Sequence, residues 1–124
     1  GGQVFNIYEL ASSTEVRNFK PDLKQIATLH DDSIIITAKG DPAVGDTTDI
    51  VSRMFGPNIG IPEDPVTGAA HCALATYWPE KLGKTTLTAA QVSARHGSLQ
   101  LSLKGDRVEL TGQAVLYLDG KITV

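Results

Sequence analysis

The spacing of apolar positions along the chain changes several times, and each change marks a different kind of element. From Val4 to Leu10 apolar and polar residues alternate imperfectly, with enough β-branched and aromatic content for a strand. Ser12-Ser13-Thr14-Glu15 has the form of a capping box, in which Ser12 accepts an amide hydrogen bond three residues on while Glu15 reaches back, so a short helix follows. Pro21 suits the first turn of a second helix, and Leu23, Ile26 and Leu29 put apolar side chains on one face of Pro21 to Leu29. Ser33 to Ala38, with three consecutive isoleucines at 34–36, reads as a fully buried strand. Lys39 to Asp46 is loop, and Ile50 to Phe55 is a further strand. The proline and glycine run from Gly56 to Pro62 excludes regular structure there and makes a shaped loop leading into Glu63.

After Gly68, the stretch from Ala69 to Trp78 is polar only at His71 and Thr76, so it predicts a helix that must be enclosed on every side. Pro79 stops or kinks it, and Gly83 supplies a left-handed terminator. From Leu87 the period becomes two: Leu99, Leu101 and Leu103 alternate with Ser and Gln, and Val108 and Leu110 continue after a turn at Lys104-Gly105-Asp106. Val115 to Leu118 runs to Asp119-Gly120, a two-residue hairpin signal before Ile122. A short apolar helix among many strands, with one buried layer to share, implies an α+β fold in which an antiparallel β-roll or barrel wraps a central buried helix.

A length of 124 residues suits a single domain over 1–124. With 41% hydrophobic residues and no long apolar stretch, no membrane span is expected. Eleven basic against fourteen acidic residues, without a basic cluster, argue against nucleic acid as a partner. One cysteine, Cys72, and no CxxC pair fit a reducing, cytoplasmic setting. Gly1-Gly2-Gln3, without an initiator methionine, reads as an artificial or processed start, with Gly1 and Gly2 a cloning or cleavage scar.

Candidate chemistry concentrates in Glu63-Asp64-Pro65-Val66-Thr67-Gly68-Ala69-Ala70-His71, two carboxylates and a turn feeding a helix. The first helical amides lack intrahelical acceptors, the macrodipole adds positive charge there, and Gly68 with Ala69 lets a ligand come close, which favours an anion. Asp64 can move a proton or cap the helix. As a plain N-cap, Asp64 or Thr67 would contribute about 1 kcal/mol, and local pattern alone favours the cap. His71, in the first turn, is within plausible reach of Asp64 but is more often a satisfied structural histidine. Cys72 is expected to be a buried packing residue. His30, His71 and His96 lack ligand spacing, so no metal is expected. Asp41, Asp46 and Asp49 miss the calcium-loop pattern and read as a solvated loop, and Gly56 to Gly60 fits no nucleotide cradle.

The segment from Ser52 to Trp78, SRMFGPNIGIPEDPVTGAAHCALATYW, resembles the signature region of the phenazine-biosynthesis PhzF-like family, which carries a motif of the form E-D-P-x-T-G-S-A. Glu15-Val16-Arg17 with Pro21-Asp22-Leu23, and Gly112 to Val115 with Asp119-Gly120, resemble further segments of that family. The resemblance implies one half of a diaminopimelate-epimerase-like fold, the C-terminal half, whose active site lies in a cleft against an N-terminal half. It also implies isomerisation by proton transfer on a small carboxylate-bearing substrate, without a cofactor. On that pattern Asp64 is the catalytic position; Thr67, Gly68 and Ala69 bind substrate; Glu63 and His71 support them. Ala69 stands where the family usually has serine, which keeps the amide and loses a hydroxyl bond of about 1 kcal/mol. The principal glutamate base of the family belongs to the N-terminal half, so this chain alone is expected to be inactive and to self-associate as a homo-oligomer through the face that half would cover. The alternative is a non-catalytic small-anion-binding or protein-interaction domain that self-associates.

Overall fold

A computed structural model describes residues 5–30 and 32–123; Val4, Gly1 and Gly2 lie outside the described residues. The elements run β1 (Phe5–Glu9), α1 (Ser13–Asn18), α2 (Leu23–Leu29), β2 (Ser33–Lys39), β3 (Ile50–Gly56), β4 (Ile61–Asp64), α3 (Gly68–Leu82), β5 (Thr86–Gln91), β6 (Gly97–Lys104) and β7 (Arg107–Thr111), with short 3₁₀ turns at Pro42–Val44 and Pro57–Ile59. The 56–62 stretch is therefore more regular than its composition suggests. Gly60, at φ +80°, ends the second 3₁₀ turn and lets Ile61 pair back on Gly56 as β4 begins.

The strands form one seven-stranded sheet in the order β1-β2-β3-β5-β6-β7, with β4 beside β3. β1 pairs parallel with β2 and β3 parallel with β5, and the remaining pairs are antiparallel. Because β2 occupies the whole of one edge of β3, β4 and β5 must share the other. They approach from opposite ends and stop two positions apart, Asp64 opposite Met54 and Gln91 opposite Ser52. The sheet thus has a fork along β3 at which two strand ends meet, and α3 leaves from one of them.

Both faces of the sheet are buried along β2, β3 and the end of β5. On one, Ile35, Ile50, Met54, Leu87, Ala89 and Leu101 pack against Ala70, Leu74, Ala75 and Trp78 of α3. On the other, Ile34, Ile36, Val51, Phe55 and Ala90 pack against Val16 of α1 and Ile26 of α2. The isoleucine run at 34–36 is buried on both sides because neighbouring strand residues point to opposite faces. Thr37, also fully buried, donates to the carbonyl of Val51 at 2.8 Å and accepts from Trp78 Nε1 at 3.1 Å, which satisfies the one polar atom of the tryptophan.

The α+β class holds; the strand order is a path from β1 to β7, and among the described residues these two strands do not pair. Two expectations need correction. α3 is not enclosed on every side: Ala69, Cys72, Thr76 and Glu80, spaced three and four apart, lie along an exposed face, so Cys72 is exposed rather than a packing residue. Small side chains on that face keep the helix apolar in sequence without requiring a cover. Finally, the 115–122 hairpin does not form. After β7 the described residues make no strand, and Val115, Leu116, Tyr117, Leu118 and Ile122 are 79–97% exposed.

Helix ends follow the sequence closely. Ser12 Oγ accepts from the Glu15 amide at 3.2 Å while Glu15 reaches back to the Ala11 amide at 3.2 Å, and Asp22 caps α2 by accepting from the Gln25 amide at 2.9 Å. Gly83, at φ +67°, closes α3 with its amide on the Pro79 carbonyl, so Pro79 lies inside the helix rather than stopping it. The supposedly solvated loop is also tied down: Asp46 is buried, bonded to Arg17 and to the Asp41 amide, Asp49 binds Lys84 and Thr88, and Asp41 caps the first 3₁₀ turn.

Candidate functional site

The fork in the sheet brings the sequence-predicted residues together. Asp64 ends β4, Thr67 is the N-cap position of α3, and Gly68, Ala69 and His71 occupy its first turn. Glu63, Asp64 and Pro65 are half-buried, Thr67 and His71 are buried, and Gly68 and Ala69 are exposed.

Glu63 is held by a two-pronged ion pair with Arg53, at 2.7 and 3.0 Å. The same guanidinium donates to the carbonyl of Phe19 at 2.7 Å, just beyond α1, and lies 5.0 Å from the Phe55 ring centroid. With both oxygens engaged, Glu63 fixes the approach to the turn and is not a free base.

Thr67 departs from the other caps. The Ser12, Asp22 and Asp41 side chains each accept an amide of the turn that they cap; the Thr67 hydroxyl makes no such bond and donates instead to Asp64 Oδ2. The plain-cap reading of Thr67 is therefore wrong in its energetics, although the position is right. Among the described residues the amides of Gly68 and Ala69 have no acceptor, which leaves orphan donors at the positive end of a fifteen-residue helix, on an exposed surface beside a carboxylate. Asp64 Oδ1 likewise has no partner among the described residues.

Gln91 organises this turn, and the sequence reading passed over it. With 0% exposure, its Oε1 accepts from the Thr67 amide at 2.8 Å and its Nε2 donates to the Asp64 carbonyl at 2.6 Å and to Thr67 Oγ1 at 3.1 Å. Ser93 Oγ donates to the Pro65 carbonyl at 2.7 Å. Gly97 carries no side chain because Val66 lies where one would be: a Cβ there would sit 2.2 Å from a Val66 methyl. A signal was present. Leu87, Ala89 and Gln91 share one strand phase, and a glutamine in the buried phase must have a polar partner.

His71 is fully buried, and its Nδ1 bonds the Thr67 carbonyl at 2.7 Å rather than Asp64. Its Nε2 has no partner. Burial pushes the imidazole pKa below its usual value, and the bond to Thr67 only partly opposes this. Among the described residues no group of three or more His, Cys, Asp or Glu side chains is placed to hold a metal. A groove of about 850 Å³ touches the turn through Val66 and is otherwise lined by residues such as Thr88, Gly97, Gln100 and Thr111. Asp64 and Gly68 are not in its wall, so the turn faces open solvent in this chain.

Comparison with known proteins sets this geometry in a family. The family described as "Phenazine biosynthesis-like protein" (PhzC-PhzF) matches residues 1–120. The chain belongs to that family. An uncharacterized isomerase of Pseudomonas aeruginosa is 46% identical over 113 residues, which are 91% of this chain and 41% of the relative. A phenazine biosynthesis-like domain-containing protein of Bos taurus is 50% identical over 93 residues, 73% of this chain and 32% of the relative. The crystal structure of a PhzC/PhzF protein from Clostridium difficile superimposes with a TM-score of 0.82 at 46% identity, covering 97% of this chain and 45% of that one. The chain thus spans less than half the length of each of these PhzF-family relatives. No helix among the described residues is long and apolar enough to cross a membrane.

The buried imidazole gives a pH signature. Since the folded state binds a proton at His71 less readily than the unfolded chain, whose histidines titrate near pH 6.5, stability is full above that pH and falls as pH drops through it. Urea unfolding between pH 7.5 and 5.5 should show this fall, with a slope of up to about 1.4 kcal/mol per pH unit, and His71→Asn should flatten it. An equal slope in the variant would remove His71 as its source.

Proposed function

We propose that this chain is the C-terminal part of a cofactor-independent isomerase that moves a proton on a small carboxylate-bearing substrate. The observation that carries the reading is the uncapped start of α3, where the Thr67 hydroxyl is turned to Asp64 and the Gly68 and Ala69 amides remain open. In this reading those amides hold a carboxylate or a ring oxygen of the substrate. Asp64, with one oxygen fixed by Thr67, uses Oδ1 to hydrogen-bond the substrate or relay its proton. Ala69 contributes its amide only. The isomerase names of related proteins support the reaction class.

The remainder of the polypeptide supplies the principal base and covers the site. The open turn, the exposed face of α3 and the apolar 115–122 tail are the surfaces it would cover, and in the complete protein the sheet would close around α3 as a roll. Alone, in the cytoplasmic setting expected for it, the chain would be inactive and would self-associate through those surfaces. The same exposed surfaces favour a second reading, a non-catalytic anion-binding or interaction domain.

The two readings separate in deuterium oxide. The complete polypeptide, offered a panel of small unsaturated carboxylic acids, should put solvent deuterium into at least one of them, and Asp64→Ala should slow this at least about tenfold with little change in melting temperature. Failure to label any acid would favour the binding domain, while unchanged turnover in the variant would remove Asp64 from the chemistry. For the tail, sedimentation of the 124-residue chain should show a dimer or larger that a chain ending at Gly112 does not form. Monomeric behaviour of both at high concentration would contradict self-association.

A further inference from the structure

The sheet has two outer strands, and they are built differently. On β7, Arg107, Glu109 and Thr111 share one exposed face, and charges on an edge strand discourage another strand from pairing with it. β1 carries apolar neighbours on both faces. Phe5 and Ile7 pack against the core shared with α3, while Tyr8 and Leu10 turn to the other side, where with Phe19, Ile26, Leu29 and Ile36 they line a groove of about 430 Å³. Leu29 in that groove is 66% exposed. The backbone edge beside it is bare. The Leu10 amide donates to the Thr37 carbonyl at 2.8 Å, towards β2, and backbone groups alternate along a strand, so those of Ile7 and Glu9 face away from β2. Among the described residues no strand lies on that side.

A strand laid along this edge is covered on both faces, so it must be apolar at consecutive positions rather than at alternate ones. Val115-Leu116-Tyr117-Leu118 is such a segment. It has no strand partner, its side chains are 79–97% exposed, and it leaves β7 at the far end of the sheet from β1. Building on the self-association read above, we propose that residues 115–118 of one copy add as a strand to the free edge of β1 in a second copy, with alternate side chains entering the groove between α2 and β1. The area suffices. Covering the five exposed apolar side chains of the tail, Ile122 included, takes roughly 600 Å² from water, and the surface beneath loses a similar amount. One seated tail thus approaches the ~1,200 Å² at which stable interfaces begin, and a reciprocal pair doubles it.

Two substitutions at exposed positions test this in the full 124-residue chain: Leu29→Glu puts a charge in the groove, and Tyr117→Asp puts one on the tail. In sedimentation wild type should associate, and each variant alone should do so at least about tenfold more weakly. Mixed in equal amounts, the two should associate again, because the intact tail of the first meets the intact groove of the second. Hydrogen exchange at the Ile7 and Glu9 amides should be at least about tenfold slower in wild type than in Tyr117→Asp, a comparison that leaves the groove unchanged. Association of Leu29→Glu equal to wild type, or a mixture that stays apart, overturns the proposal and assigns the tail to another tail or to a different part of the polypeptide. Association without slowed exchange at Ile7 and Glu9 also overturns it, while self-association stands. A wild type that remains monomeric at high concentration overturns self-association itself, and the strand addition with it.

Discussion

A carboxamide with no access to water must find partners for its donors and its acceptor, and Gln91 finds all of them in one turn. That requirement ties together parts of the chain that are distant in sequence. β5 can end beside β4 because Gln91 closes the fork between them, and α3 can start where it does because the Thr67 amide has an acceptor in Gln91. The Arg53–Glu63 pair performs the same service on the upstream side, carrying the end of α1 and the approach to the turn on one guanidinium. An open-surface site, with no walls of its own in this chain, is thus held from beneath by buried polar contacts rather than by a closed cavity.

The division of labour along α3 follows from this. Its inner face, Ala70, Leu74, Ala75 and Trp78, belongs to the core, while its outer face keeps small residues and remains exposed. Its first turn is neither: the amides there are left unsatisfied, which costs stability that a cap would supply, about 1 kcal/mol on typical scales. Stability given up at the start of the longest helix, while Ser12, Asp22 and Asp41 cap theirs, is the pattern expected of a functional position.

Much of this was legible in the residues, and the limits are physical. Alternation and β-branching placed the strands from Ser33 and from Leu99 onward, because the period of two is a local property. Ser12 with Glu15, and Gly83, marked helix ends because caps act over three or four residues. The E-D-P-V-T-G run placed Asp64, Thr67, Gly68 and Ala69 in one turn, as the structure has them. The enclosed helix and the buried Cys72 failed because hydrophobicity without size does not say which side of a helix is covered, and alanine, cysteine and threonine are tolerated outside. The tail hairpin failed because a strand needs a neighbour as well as a pattern, and β7 does not provide one to it. Gln91 was missed because its partners are 24 to 27 residues away, and only its place in the buried phase of β5 betrayed it.

The central claim, that α3 begins with its second and third amide-bearing positions open while the one before them is locked, is tested most directly by hydrogen exchange at single amides. In the folded 124-residue chain the Thr67 and His71 amides, bonded to Gln91 Oε1 and the Thr67 carbonyl, should be protected, and those of Gly68 and Ala69 should exchange near the rates of an unstructured peptide. Protection of Gly68 and Ala69 equal to that of Thr67 would mean that the helix start is capped after all, and would contradict the account.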